Sequence, residues 1–283
     1  MGDNSENLSD TPRSGGLGSR VSEAAHPIGG TTIHTDADGL KTGEITALSE
    51  GFDLPVYYAR PSSGNGPFPV FLVVSEVFGV HAHIADVCRR FAKLGYLALA
   101  PDLFARRGDA SSFESLADLI RDVISQTPDS QVITDPDAVQ ALAGELGGDA
   151  GRLGITGFCW GGRLTWLYTA HALNLKAAVA WYGRLDGDVS SNTPLHPVSV
   201  TGLLRAPVLG LYAGYDSVVP INHVSSMRAV LEQGNDNARN SRIDIYPDAG
   251  HAFFADYRES YRADDACDGW QKCLSWFAEH GVA

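Results

Sequence analysis

The hexapeptide Gly157-Phe158-Cys159-Trp160-Gly161-Gly162 constrains this chain more than any other stretch. Before it, Arg152-Leu153-Gly154-Ile155-Thr156 is a short apolar run with strand character, and after it Arg163-Leu164-Thr165-Trp166-Leu167-Tyr168 has the spacing of a helix. A strand must therefore turn sharply into a helix with the cysteine at the apex. A residue at such an apex is held at a strained backbone angle, and flanking glycines let strand and helix pass closely because they carry no side chains. The turn also places the N–H of Trp160 at a helix N-terminus, where it can donate to a developing oxyanion and where the helix dipole favours a thiolate. A buried structural cysteine between glycines is the alternative reading of the hexapeptide taken alone.

The surrounding pattern fixes the fold class. Residues 31–60 read as two or three antiparallel strands broken at Asp36-Ala37-Asp38-Gly39 and Ser49-Glu50-Gly51, and residues 69–75 as a continuous apolar run of the kind a buried parallel strand needs. Helical spacing follows at 83–94, closed by Gly95, then a strand at 96–100 and helices at 113–125 and 135–146, the latter with Asp135 as N-cap and Pro136 in its first turn. Beyond the hexapeptide come strands at 177–181, 207–213 and 241–246 and helices at 221–233 and 265–279, with an aperiodic loop over 183–204. Such alternation predicts an α/β fold, a doubly wound and mostly parallel sheet with antiparallel N-terminal strands. Residues 1–25 read as a disordered tail and residues 26–283 as a single domain.

Composition bounds the function. A chain of 283 residues with 44% hydrophobic content can bury one substantial core. A formal net charge of −13 argues against nucleic acid or an anionic membrane as partner. Cys88, Cys159, Cys267 and Cys273 show no disulfide or Cys-x-x-Cys spacing, which fits a reducing cytoplasm, and residues 1–20 have neither the apolar core of a signal peptide nor a membrane anchor. No Walker or dinucleotide phosphate loop is present, and no cofactor is expected. His81-Ala82-His83 lies near Glu76 and Cys88, but His83 and Cys88 fall on a helix whose inner face is apolar, so no metal is expected either.

In an open α/β sheet, functional residues gather at the carboxyl ends of the strands. Three candidates fall there: Cys159, Asp216 in Ala213-Gly214-Tyr215-Asp216, and His251 in Asp248-Ala249-Gly250-His251. The order nucleophile, acid, histidine is that of the α/β-hydrolase triad, and Gly-x-Cys-x-Gly is the nucleophile elbow of that fold with cysteine in place of serine. A mostly protonated thiol needs an imidazole to accept its proton, and the imidazole needs a carboxylate to hold its tautomer. Taken singly, Asp216 could be a turn aspartate capping the helix near Ile221, and His251 a solvated loop residue. Glu76 ends a buried strand in an apolar stretch, where an isolated charge is costly. The functional reading places it beside Cys159, with the N–H of Val77 joining that of Trp160 as oxyanion donors.

Five motifs in register, Glu76-Val77-Phe78-Gly79, Ala100-Pro101-Asp102-Leu103-Phe104-Ala105-Arg106, the hexapeptide around Cys159, Trp181-Tyr182-Gly183 and Ala249-Gly250-His251-Ala252-Phe253, make the chain resemble the dienelactone hydrolase (carboxymethylenebutenolidase) family from about residue 31 to 279. The resemblance implies an α/β-hydrolase fold, a triad of Cys159, Asp216 and His251, Glu76 as partner of the thiol, and Arg106 in contact with a substrate carboxylate. It departs at the second substrate-binding arginine of the dienelactone-cleaving members, where this chain has Ala255. The expected activity is hydrolysis of small carboxylate-bearing esters or lactones through a thioester acyl-enzyme. Phe78, Trp181 and Tyr182 are expected to sandwich a planar substrate. A redox-sensing or non-catalytic binding role is the other class, but a sensor thiol has no use for an oriented proton carrier. A monomer or homodimer is expected, with a small molecule as partner.

Residues 1–20 offer no apolar surface to bury, so their deletion is expected to leave activity and melting temperature nearly unchanged. A fall of more than a few degrees, corresponding to ~1 kcal/mol or more, would show that the segment docks.

Overall fold

The run Phe68–Val74 shows how the sheet is built. Its alternate residues enter opposite cores, Val70, Leu72 and Val74 on one face and Phe71 and Val73 on the other. A strand buried on both faces needs such unbroken apolar sequence. The computed structural model describes residues 30–64, 66–113 and 115–283; the tail expected over residues 1–25 lies outside the described residues.

In chain order the elements are β1 (Leu40–Ser49), β2 (Phe52–Pro61), β3 (Phe68–Val74), α1 (Ala82–Lys93), β4 (Leu97–Pro101), α2 (Leu116–Leu119), α3 (Asp129–Leu142), β5 (Gly148–Phe158), α4 (Trp160–His171), β6 (Leu175–Trp181), β7 (Val208–Tyr215), α5 (Ile221–Gln233), α6 (Asp236–Arg239), β8 (Arg242–Gly250) and α7 (Ala263–Glu279). The strands form one sheet in the order β1-β2-β4-β3-β5-β6-β7-β8. β1 and β2 pair antiparallel, as do β2 and β4; every later pairing is parallel. Residues from α3, α4 and α5 share one core with one face of the sheet, and residues from α1 and α7 share the other. The expected α/β architecture is thus present, and the parallel part begins where β3 meets β4.

Two helices differ from the sequence reading. The stretch expected as a helix over 113–125 has Ser115 as its cap, accepting from the N–H of Asp118 at 3.1 Å, but α2 passes after four residues into a π-helical turn, Ile120–Ile124. The helix expected to start at Asp135 begins at Asp129, so Pro136 lies inside α3 and Asp135 is not its cap. The proline forfeits one backbone hydrogen bond, yet Val132, Asp135, Pro136 and Val139 are all buried, and tertiary packing overrides the local preference. No helix among the described residues is long and apolar enough to cross a membrane.

The loop before Val208 is tethered to the elbow helix. Arg163 on α4 donates to both oxygens of Asp129 at 2.7 Å and to the carbonyl of Leu195 at 2.6 Å, joining α4, α3 and this loop in one buried contact. Asp129→Ala would strand a guanidinium that is only 5% exposed. We expect a loss of ~3–5 kcal/mol, read as a lower midpoint in urea at unchanged slope. A midpoint close to the parent's would show that the pair contributes little.

Candidate active site

The carboxyl ends of β3, β5 and β6 lie side by side, because Val74 pairs with Gly157 and Phe158 with Trp181. Cys159 follows β5 directly, at φ 53° and ψ −111°, and its N–H donates to the carbonyl of Trp181 at 3.0 Å. The flanking glycines are explained by backbone contact. A Cβ on Gly157 would come within 2.3 Å of the carbonyl oxygen of Gly161, and one on Gly161 within 2.5 Å of those of Val74 and Ser75. One on Gly162 would meet the carbonyl oxygen of Trp181 at 2.5 Å. No side chain can yield there, since each obstacle is main chain.

Three sequence candidates converge. His251, immediately after β8, has Nε2 3.2 Å from the Sγ of Cys159 and Nδ1 2.8 Å from Oδ2 of Asp216. Oδ1 of Asp216 accepts from the N–H groups of Val218 and Val219 at 2.7 and 2.9 Å, which fixes a carboxylate whose side chain is 1% exposed. Asp216 therefore serves both as the turn residue before α5 and as the partner of the histidine. Burial alone would lower the pKa of His251, but its hydrogen bonds to Asp216 and Cys159, and their charges, outweigh burial and raise it to about 10. The stabilisation from this imidazolium is complete below the ordinary imidazole range and is lost as pH rises through about 10.

Glu76 lies in a second cluster. Its Oε2 accepts from the hydroxyl of Tyr257 at 2.5 Å and stands 3.5 Å from Nε2 of His81, with both residues of the His81–Glu76 pair buried. Burial pushes the carboxyl pKa up, but the approach of His81, together with the charges of Arg258 and His83, holds it down at about 2. Burial likewise disfavours a charged His81. In this geometry the histidine bonds the thiol, and the glutamate, expected as partner of the thiol, bonds Tyr257. His83 and Cys88, weighed above as metal ligands, have other roles. Nδ1 of His83 lies 3.3 Å from Oδ1 of Asp256, which also pairs with Arg90, and Cys88 is fully buried in the core under α1.

Arg106 requires correction. Its guanidinium grips both oxygens of Asp135 at 2.6 and 2.8 Å, donates to the carbonyl of Ser49 at 2.9 Å and lies 4.7 Å from the Phe52 ring centroid. The fork that was to hold a substrate carboxylate holds a carboxylate of the protein, fully buried, to which Ser49 also donates at 2.6 Å. The aromatic sandwich needs revision too. Trp181 is fully buried, donates to Oγ1 of Thr156 at 3.1 Å and packs against Phe158 and Phe254. Phe78 belongs to a small core with Phe104, Leu119 and Val123. Tyr182, also fully buried, presents an edge-to-face contact to His251 with centroids 5.2 Å apart. Val77 and Trp160 are half-buried and follow β3 and open α4 respectively. Sequence reasoning missed Tyr257, and it placed Arg258 only as an arginine near Ala255 but out of register with the expected position. Arg258 is half-buried and its charge reaches Glu76, Tyr182 and Tyr257, while Ala255, at the position compared with a second arginine, is core.

Arg106→Ala is accordingly expected to cost ~3 kcal/mol of stability by leaving Asp135 unpaired, and to lower turnover of anionic and neutral esters alike, if at all. Thermal melts and parallel kinetics check this; a loss confined to anionic substrates, at unchanged melting temperature, would restore the substrate role.

The chain is similar to known proteins in family and fold. The model of the Dienelactone hydrolase family matches residues 54–281. A Salmonella typhi protein named "Putative carboxymethylenebutenolidase" is 52% identical over 258 residues, covering 91% of this chain and 94% of the relative, and an Escherichia coli K12 protein of the same name is 51% identical at the same coverage. A crystal structure from Klebsiella pneumoniae described as a "Putative Dienelactone Hydrolase" superposes with a TM-score of 0.82 at 50% identity, covering 85% of this chain and 99% of that one.

Proposed function

We propose that this chain, which belongs to the dienelactone hydrolase family, hydrolyses esters or lactones through Cys159 as nucleophile. Hydrolysis of esters or lactones is what the family supports; the cysteine route is our reading, and the observation that carries it is the pair of contacts made by His251, 3.2 Å to the thiol and 2.8 Å to Asp216.

The sequence of events follows from the charges. A raised imidazole pKa favours the imidazolium beside a thiolate, and the N-terminus of α4 adds favourable potential for the anion. The thiolate attacks the carbonyl carbon, and the oxyanion is met by the N–H groups of Trp160 and Val77. His251 gives its proton to the departing alkoxide, which in a lactone stays tethered as a hydroxyl, and a thioester remains on Cys159. Water then attacks the thioester, passing a proton to His251, and the thiolate leaves. Amides are poor substrates in this scheme, because the thiolate leaves more readily than an unprotonated amine. With Arg106 engaged elsewhere, Arg258 is the cation we assign to an anionic acyl group, and Cys159, Asp216 and His251 form the catalytic set with Glu76 beside it.

Cys159→Ala should reduce hydrolysis of aryl esters and unsaturated lactones by roughly a thousandfold or more, and His251→Ala should slow alkylation of Cys159 at neutral pH while moving its profile upward. Arg258→Ala should cost roughly 1.5–3 kcal/mol in kcat/KM for carboxylate-bearing substrates and spare neutral ones. Full activity in Cys159→Ala would rule out the cysteine route.

A further inference from the structure

Tyr182 combines three unusual properties. It is a bulky residue at φ 38°, it is fully buried, and its hydroxyl has no hydrogen-bond partner among the described residues. A left-handed backbone costs energy for such a residue, and so does a buried hydroxyl without a partner. Phenylalanine would remove the second cost at no loss of packing. Among the described residues three further buried polar atoms after β3 are also without hydrogen-bond partners, Oγ of Ser75, Oε1 of Glu76 and Nε2 of His81, the last standing 3.5 Å from the other oxygen of Glu76. The sheet brings these residues together: Ser75 and Glu76 follow β3, Cys159 follows β5, and Tyr182 follows β6, three neighbouring strands. The ring of Tyr182 is edge-on to His251, and its hydroxyl feels the charges of both Glu76 and Cys159. The hydroxyl is thus within electrostatic reach of both the carboxylate and the sulfur.

We propose that Tyr182 is a positioning residue that, with Ser75 and an internal water, solvates the free oxygen of Glu76 and so permits a buried carboxylate to coexist with the thiolate of Cys159. The chemistry suits water. A carboxylate oxygen only accepts, whereas each hydroxyl can donate and accept, and a polar recess with two to four such partners holds a buried water well. The other face of Glu76 is occupied by Tyr257 and His81, with His83 and Arg258 beyond, and the thiol is faced from its far side by His251 and Asp216. The screening of one anion from the other is assigned to Tyr182, whose ring meets His251 edge-on and whose hydroxyl both groups influence. Without the hydroxyl, the carboxylate acts on the sulfur less attenuated, and the thiolate is disfavoured.

This rests on the cysteine reading but is tested without ester hydrolysis. The rate of iodoacetamide alkylation of Cys159 would be followed against pH in the full-length protein, with Cys88, Cys267 and Cys273 separated by peptide mass analysis. In Tyr182→Phe the midpoint should rise by roughly half a unit to one unit, with a melting temperature equal to or above the parent's. In Glu76→Gln the same substitution should leave the midpoint where Glu76→Gln alone puts it, because the anion being screened is gone. Ser75→Ala should move the midpoint in the same direction as Tyr182→Phe and provides the measurement if the tyrosine variant does not fold. An unmoved midpoint in both single variants, or equal shifts with and without Glu76, would overturn the proposal. Loss of ester hydrolysis in Cys159→Ala bears on the catalytic reading alone.

Discussion

Main chain pressed against main chain is the constraint on which this molecule depends. The turn after β5 is so tight that Gly157, Gly161 and Gly162 each lie where a Cβ would fall within about 2.5 Å of a carbonyl oxygen, and Gly183 would collide with the N–H of Arg163. These contacts tie the ends of β3, β5 and β6 to the first turn of α4. They also explain how a cysteine is kept at φ 53°: its neighbours leave it no other course. The strain is borne by the two-sided core on either face of the sheet, and it presents the sulfur at a helix N-terminus, within hydrogen-bond distance of the histidine.

The elbow was the most legible part of the chain because its requirements are steric and local. Glycine at fixed positions around a cysteine, an apolar run before and a helical pattern after admit few structures. The change from antiparallel to parallel pairing followed from continuous apolar runs such as 69–75. Cys159, Asp216 and His251 were legible for a related reason, since each sits at a strand end, and strand ends can be placed from periodicity. The start of α3 was not. Asp135-Pro136 has the local chemistry of a helix start, and it lost to the burial of Val132, Asp135 and Val139 against the sheet.

Arg106 and Glu76 mark the limit more sharply. Both were assigned to the site because they follow strands that end there, and both do follow those strands. What the sequence could not show is the partner each one meets. Asp135 lies on a different helix from the loop of Arg106, and Tyr257 comes from the segment between β8 and α7, far from Glu76 in the chain. No periodicity or motif links such pairs. Local pairs such as the i,i+3 and i,i+4 contacts of Asp86 with Arg89 and Arg90 on α1 can, by contrast, be read directly.

The charge arrangement has a consequence for what the site can bind. Asp216 and Cys159 both hydrogen-bond to His251 and raise its pKa, while the Glu76 carboxyl is held low chiefly by His81, with the charge of Arg258 a smaller contribution. On the proposal that Arg258 meets an anionic acyl group, that anion would share the arginine's charge with Glu76. The cost of that sharing would fall on Glu76, and His81 together with the hydrogen bond from Tyr257, which remain in place, would reduce it. On this proposal the site would discriminate between anions by how well they compete with Glu76 for Arg258, and neutral esters would be selected by fit around the elbow alone.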